Sequence, residues 1–279
     1  MKLVRVMTSD GKVQPGLIDE QGGVRSIEAW CTDITSAELG SDLVARLRRC
    51  DVNSLPLMAG VDRYLSPVAD PGKVICIGLN YRDHAEESGL EPPQEPLFFL
   101  KANSSIVGAY DDIVIPRDAE KVDWEVELAV VIGKPAKYVS ADDAMNHVAG
   151  YTIMNDVSER DFQLARGTQW TKGKSCDSFG PLGPWLVTKD EVDCGALDVQ
   201  LDVNGMTRQK SNTDQLIFSV SDLVSRLSTY FTLQPGDVIA TGTPSGVGFG
   251  LKPPCYLQPG DIVTLSIEGL GSQRQKVVQ

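Results

Sequence analysis

Two glutamates carry the clearest chemical signal in this chain. In Asp123-Trp124-Glu125-Val126-Glu127-Leu128-Ala129-Val130-Val131-Ile132, Glu125 and Glu127 lie two residues apart, so in an extended strand their side chains stand on one face. The apolar run that follows suits a strand buried on both faces, where adjacent carboxylates are poorly solvated and repel. Such a pair persists when a cation compensates it, when protons neutralise it, or when nearby bases pair with it. Asp156 ends a second apolar run, Tyr151-Thr152-Ile153-Met154, and offers a third oxygen ligand. An all-carboxylate set points to Mg2+, Mn2+ or Ca2+ rather than zinc. The competing reading is an exposed acidic strand edge.

His84 and Glu87 form a second constellation. Their i, i+3 spacing brings them together on one helical turn, and a carboxylate beside an imidazole orients it as a general base that activates water. The alternative is a surface ion pair of little consequence. The other histidine, His147, precedes a buried strand without such a partner. A Gly-bearing loop, Trp170-Thr171-Lys172-Gly173-Lys174, carries lysines able to neutralise an anion or a developing enolate, although surface lysines are usually only solvated. A second loop, Thr241-Gly242-Thr243-Pro244-Ser245-Gly246-Val247-Gly248, follows a strand, and its glycines allow backbone N–H groups to approach a carboxylate or phosphate. It lacks the Gly-Lys-Ser/Thr element of a P-loop and reads equally well as a tight connection.

The elements that must position these groups are mostly strands. Residues 1 to about 30 alternate as short strands, and Ser36 begins a helical stretch with Leu39, Leu43 and Leu47 at four-residue spacing, ending in Arg48-Arg49. Pro56, Pro67, Pro71 and Gly72 then accumulate, so the expected division is a small N-terminal domain over 1–70 and a larger domain over 71–279. Lys73 to Gly78 reads as a buried strand, and Tyr81 to Glu87 as a surface turn or short helix. Strands follow at 97–100, 113–115, 125–132, 148–155, 186–187 and 197–203, the last leading into an Asn204-Gly205 hairpin turn. One clear helix carries Val220, Leu223, Val224 and Leu227 on one face, capped by Ser219 or Ser221. Leu233-Gln234-Pro235-Gly236-Asp237 recurs as Leu257-Gln258-Pro259-Gly260-Asp261, which is type II turn chemistry rather than duplication. The expected class is α+β, β-rich, with a mixed sheet.

Composition limits the partners. A formal charge of −12 without a dense basic block disfavours nucleic acid and anionic membrane, yet a bound cation can still admit a small anion. The six cysteines are scattered without a CxxC pair and are expected to be free thiols. The N-terminus has no apolar signal core and no run reaches membrane-spanning length, so a cytoplasmic location is expected.

Taken in order, five segments resemble the fumarylacetoacetate hydrolase family: Gly78-Leu79-Asn80-Tyr81-Arg82-Asp83-His84, Trp124 to Leu128, Asn155 to Asp161, Trp170 to Lys174 and Thr241 to Gly248. The likeness covers most of residues 72 to 270. It implies a mixed β-sandwich roll with a small N-terminal β/α unit, a homodimer or higher homo-oligomer, and Mg2+ (or Mn2+, Ca2+) held by Glu125, Glu127 and Asp156. It further implies cleavage of a C–C bond in a small anionic 2,4-diketo acid, an acylpyruvate, giving pyruvate and a carboxylic acid. On that likeness His84 and Glu87 deprotonate the attacking water, Lys174 stabilises developing negative charge, and Arg160, Gln163 and Thr243 lie near the substrate. Residues 1–70 resemble the short N-terminal unit of the compact members, not the larger domain that supplies an extra metal ligand. Including Gly16-Leu17-Ile18-Asp19 and Phe179 to Trp185, the pattern is most similar to bacterial hydrolases of 2,4-diketo-3-deoxy sugar acids, with L-rhamnonate or L-fuconate derivatives as expected substrates and lactate as co-product. The alternatives are decarboxylation of oxaloacetate or isomerisation of a 2-oxo acid at the same metal, and a non-catalytic metal- or ligand-binding protein.

Overall fold

The strand Val126–Ile132 is buried at every position and lies inside the largest sheet of the protein. The computed structural model describes residues 1–89 and 91–279. In it, eleven strands form one sheet whose main path runs Val24–Ser26, Val13–Ile18, Lys2–Thr8, Gly180–Thr188, Val148–Asn155, Val126–Ile132, Val238–Ala240, Val74–Gly78 and Leu97–Lys101. Most neighbours are antiparallel, while Val238–Ala240 and Val74–Gly78 run parallel, so the sheet is mixed as expected. A second, five-stranded sheet comprises Met206–Asn212, Asp198–Val203, Ile262–Ile267, Gly271–Val278 and Ile113–Val114. The protein is strand-rich α+β.

Alternation along Val126–Ile132 sorts its side chains between two cores. Val126, Leu128, Val130 and Ile132 pack with Val199, Leu201, Val263 and Leu265 of the second sheet and with Leu223, Val224 and Leu227 of the helix Val220–Tyr230. Ala129 and Val131 face the other way, toward Ile27, Ile34, Leu39, Leu43 and Leu47 of the N-terminal segment. Glu127 shares that second face by the two-residue period. The large sheet is therefore covered on both sides, and the first strand, Lys2–Thr8, joins it directly by pairing with Gly180–Thr188.

Local signals resolve as chemistry predicts. Asn204 and Gly205 take φ of 53° and 75°, the two left-handed positions of a type I′ hairpin turn. Ser219 caps Val220–Tyr230 with a full capping box involving Asp222. Both Pro-Gly turns close identically: Asp237 accepts from Gln234 N–H and Asp261 from Gln258 N–H, each at 2.7 Å, which explains the near-repeat as turn chemistry. All six cysteines are free, Cys31 and Cys76 being buried. The helical stretch from Ser36 differs from expectation. It forms two short helices, Ser36–Leu39 and Leu43–Leu47, separated at Gly40, where a Cβ would stand 2.9 Å from the Pro235 ring. The leucines still reach one core because the two pieces keep their apolar faces on the sheet.

Arg5 pins the first strand to the segment that covers the sheet. Its guanidinium grips Asp33 through Nε (2.6 Å) and Nη2 (2.8 Å), and Nη1 donates to the Ser66 carbonyl at 2.9 Å. Burial alone would raise the Asp33 carboxyl, but the Arg5 hydrogen bonds and charge outweigh it and hold the carboxyl below its ordinary value. A depressed folded-state pKa adds stability above the unfolded value of about 4, and that stability is lost as pH falls through the folded pKa. Asp33→Asn should therefore cost about 1–2 kcal/mol near neutral pH, and the gap to the parent should narrow in acid, as pH falls below the unfolded value and through the depressed folded-state pKa. Urea unfolding near neutral pH and in acid checks this; an undiminished gap in acid would remove the ion pair as its cause.

Candidate active site

Strand direction collects the motif loops at one end of the large sheet. Val126–Ile132 begins there, its antiparallel partners Val148–Asn155 and Val238–Ala240 end there, and Val74–Gly78, parallel to the latter, ends there too. Glu127 pairs in register with Met154, so Asp156 lies one pleat beyond on the same face. Asp156 N–H donates to the Glu125 carbonyl at 2.9 Å and extends the ladder past the strand ends. Glu125 itself sits just outside Val126–Ile132, one residue short of the expected strand start. Ligand oxygens of Glu125, Glu127 and Asp156 lie within 4.8 Å of one another, and all three side chains are buried.

Buried cations meet these carboxylates. Lys174 Nζ bridges Glu125 Oε2 (2.8 Å) and Asp156 Oδ2 (2.9 Å), while Lys101 Nζ holds Asp156 Oδ1 at 2.5 Å. Arg160 bonds Glu125 Oε1 through Nη2 (2.7 Å), Asp123 Oδ1 through Nε (2.8 Å) and Gln163 Oε1 through Nη1 (3.0 Å). Burial would raise the Glu125 carboxyl, but Lys174 and Arg160 override it and bring it down to about 2. Glu127 behaves oppositely. Among the described residues no basic side chain lies within ion-pair distance of it, and the Gly242 N–H donates to its Oε2 at 2.9 Å. Burial, with Asp156 and Glu125 beside it, pushes its carboxyl well above the ordinary range. Three clustered hard oxygen donors, one lacking a counter-charge, fit a divalent cation of the Mg2+, Mn2+ or Ca2+ type.

Two glycines make the geometry possible. Gly242 adopts φ of 103° to aim its N–H at Glu127, a conformation costly for any side-chain-bearing residue. At Gly173 a Cβ would lie 2.3 Å from the Glu159 carbonyl and 2.5 Å from Gln163 N. The short helix Thr171–Lys174 thus packs directly on the backbone of Arg160–Leu164 and delivers Lys174 into the interior.

The helix Arg82–Ser88 carries the histidine. His84 Nδ1 lies 3.2 Å from Glu87 Oε2, and Glu87 Oε1 accepts the Gly246 N–H at 3.1 Å, so the glycine loop fixes the carboxylate that orients the ring. With Nδ1 donating to Glu87, Nε2 is left as the proton acceptor. A cavity of about 70 Å³ is lined by His84, Glu125, Arg160, Gln163, Lys174 and Thr243, with Phe99 and Trp170 forming an apolar wall. Six of the nine residues singled out by sequence thus share one cavity, and Glu127, Asp156 and Glu87 contact its walls. A larger cavity of about 390 Å³ borders Arg5 and Arg63, but these guanidinia are committed to Asp33 and Asp111, and it holds none of the candidate groups.

Sequence reading missed Lys101 and Asp123. Asp123 precedes Glu125 by the same two-residue step that exposed Glu127, so the period held the signal; Lys101 only ends an apolar strand. His147 does have a carboxylate partner, contrary to expectation. Its Nε2 lies 3.3 Å from Asp143 Oδ2, because residues 141–147 form consecutive helical turns that set the pair four residues apart at the surface.

Comparison with known proteins agrees with this geometry. The family model described as the C-terminal part of fumarylacetoacetate (FAA) hydrolase matches residues 73–278. The 2,4-didehydro-3-deoxy-L-rhamnonate hydrolase of Sphingomonas sp. strain SKA58 is 51% identical over 269 residues, covering 96% of this chain and 93% of its own. The structure of fumarylacetoacetate hydrolase from psychrophilic Exiguobacterium antarcticum superposes with a TM-score of 0.89 at 37% identity, covering 100% of this chain and 99% of that one. Fumarylpyruvate hydrolase from Pseudomonas aeruginosa, solved with Mn2+ and pyruvate, gives 0.69 at 34% identity over 79% and 94% of the two chains. Strand topology, the buried carboxylate cluster and this extent of similarity lead to one conclusion: the chain belongs to the fumarylacetoacetate hydrolase family.

Proposed function

We propose that this protein is a divalent-cation-dependent hydrolase that cleaves the C–C bond of 2,4-diketo acids, releasing pyruvate and a carboxylic acid. The observation that carries this reading is the meeting, around one cavity, of an oriented imidazole with a buried carboxylate triad and an internal lysine. Glu125, Glu127 and Asp156 would hold the cation, with Mg2+ the preferred ion. When bound, it supplies a Lewis acid for the substrate's 2-oxo and carboxylate oxygens.

The chain's own groups then divide the work. His84 Nε2 takes a proton from water, Glu87 stabilises the resulting imidazolium, and the water oxygen attaches to C4 of the diketo acid. The C3–C4 bond breaks, C4 leaves as a carboxylic acid, and C3 keeps the electron pair until a proton makes it the methyl group of pyruvate. Lys174, fully charged because Asp156 and Glu125 outweigh its burial, sits where negative charge develops. Arg160, Gln163 and Thr243 line the cavity and are the substrate-facing residues of this reading. Likeness to the Sphingomonas enzyme makes 2,4-diketo-3-deoxy-L-rhamnonate, or its L-fuconate counterpart, the preferred substrate, with lactate as co-product.

Pyruvate release from a panel of acylpyruvates and diketo-deoxy sugar acids should require a divalent ion and stop with chelator. His84→Ala should lower kcat by about a hundred- to ten-thousand-fold. Carbon dioxide evolved from oxaloacetate, with His84→Ala still active, would instead mark a decarboxylase. Separately, Mn2+ at about a hundred times its Kd should stabilise the folded protein by about 2.7 kcal/mol, and Glu127→Gln should largely abolish that gain. A metal-induced rise in melting temperature that survives Glu127→Gln would place the ion elsewhere.

A further inference from the structure

The backbone N–H groups of Glu125 and Val126 are each held by a side-chain amide. Glu125 N–H donates to Asn155 Oδ1 at 3.2 Å, and Val126 N–H donates to Gln209 Oε1 at 3.0 Å. Both amides are completely buried. Gln209 belongs to Met206–Asn212, a strand of the second sheet, which contributes none of the three clustered carboxylates.

The Gln209 amide cannot turn over. Its Nε2 donates to the Pro244 carbonyl at 2.9 Å and to Thr243 Oγ1 at 2.8 Å, so a flip would set NH2 against an N–H and oxygen against a carbonyl. Thr243 Oγ1 in turn donates to the Val126 carbonyl at 2.9 Å. One amide thereby joins both polar groups of Val126, the residue between Glu125 and Glu127, to the Thr243-Pro244 segment that follows Gly242. Asn155 is anchored in the same manner: its Nδ2 donates to Gln275 Oε1 at 3.2 Å, and Gln275 Nε2 donates to Gln273 Oε1 at 3.0 Å. These two glutamines also come from the second sheet.

We infer that Gln209 is a positioning residue for the cation site: through Val126 and Thr243 it fixes the backbone from which Glu125 and Glu127 project. This rests on Glu125, Glu127 and Asp156 being the cation ligands. A hydrogen-bonded amide confined to one orientation passes that precision to the strand it grips, and groups that support metal ligands commonly govern affinity by about 10–100-fold. A merely structural amide would affect melting temperature alone.

Mn2+ binding, followed through the EPR signal of the free ion, tests this on the whole protein. Gln209→Met keeps the length of the side chain and removes its hydrogen bonds; Gln209→Asn keeps an amide too short to span both partners. Each should weaken Mn2+ binding about tenfold or more. Val6→Ala, in the separate core beneath the first strands, should lower the melting temperature yet keep the Mn2+ Kd within about twofold of the parent. Should Gln209→Met fail to fold, Gln209→Asn decides. Parent-like Mn2+ affinity in a folded Gln209 variant overturns the inference alone, whereas a parent that binds no Mn2+ removes the ligand assignment and the inference with it.

Discussion

An unequal count of buried charge governs this structure. Four buried carboxylates, Asp123, Glu125, Glu127 and Asp156, meet three buried cations, Lys101, Arg160 and Lys174. Removing an ion from water costs several kcal/mol, and only close partners in good geometry offset it. The fold must therefore bring Lys101 from an edge strand, Lys174 from a one-turn helix and Arg160 from another short helix to the end of two central strands. Glu127, the member left over, marks where this arrangement expects a further cation or a proton. Its carboxyl responds to that deficit by moving well above the ordinary range, while Glu125, with two basic partners, moves down to about 2.

Periodicity made the first half of this arrangement legible. A two-residue step placed Glu125 and Glu127 on one face, an apolar run placed them inside, and a similar run ended at Asp156. The i, i+3 spacing of His84 and Glu87 likewise survives in the folded protein as a 3.2 Å contact. What remained hidden is long-range. Lys101 follows four apolar residues and reads as the end of a strand; only the order of strands in the sheet shows that it reaches Asp156, 55 residues away. Pairing of the first strand with Gly180–Thr188 is equally invisible, because register between strands so distant in sequence is set by the whole core rather than by local pattern. The split helix after Ser36 has the same origin. Leucine spacing is right for one helix, but Gly40 must pass close to Pro235, a contact that belongs to the tertiary structure.

The two sheets take different parts in the site. Clustered carboxylates, the helix bearing His84 and the loop bearing Gly242 and Gly246 follow from strand ends of the large sheet, where strand direction gathers them at one end. The smaller sheet supplies apolar packing on one face of Val126–Ile132, the buried Gln209 that reaches the Val126 backbone beside Glu125, and the buried Gln275 that holds the Asn155 side chain. Ladder hydrogen bonds cannot serve there, since the central strand is just beginning. Side-chain amides satisfy these buried N–H groups instead, and an unsatisfied buried donor would cost about 1–3 kcal/mol. The same residues that complete the hydrogen-bonding of a strand end thus hold its carboxylates in place.

On the proposed function, charge also reconciles an acidic protein with an anionic substrate. With a formal net charge of −12 the molecule as a whole repels anions, and the buried group at the site is itself short of one positive charge. On the proposed function a divalent ion changes the local sum from one negative to one positive, matching the single carboxylate of an acylpyruvate. Screening limits the repulsion of the distant surface to about a Debye length, roughly 8 Å at physiological ionic strength, whereas charges lining a cavity of about 70 Å³ act in a low-dielectric setting and are barely screened. The local balance therefore decides which molecules enter. Phe99 and Trp170 give the cavity an apolar wall, which on the proposed function would strengthen the pull of Lys174 and of a bound cation on charge that develops as the C–C bond breaks. An acidic exterior is thus compatible with anion recognition so long as the last positive charge is supplied by the ion that the unpaired carboxylate demands.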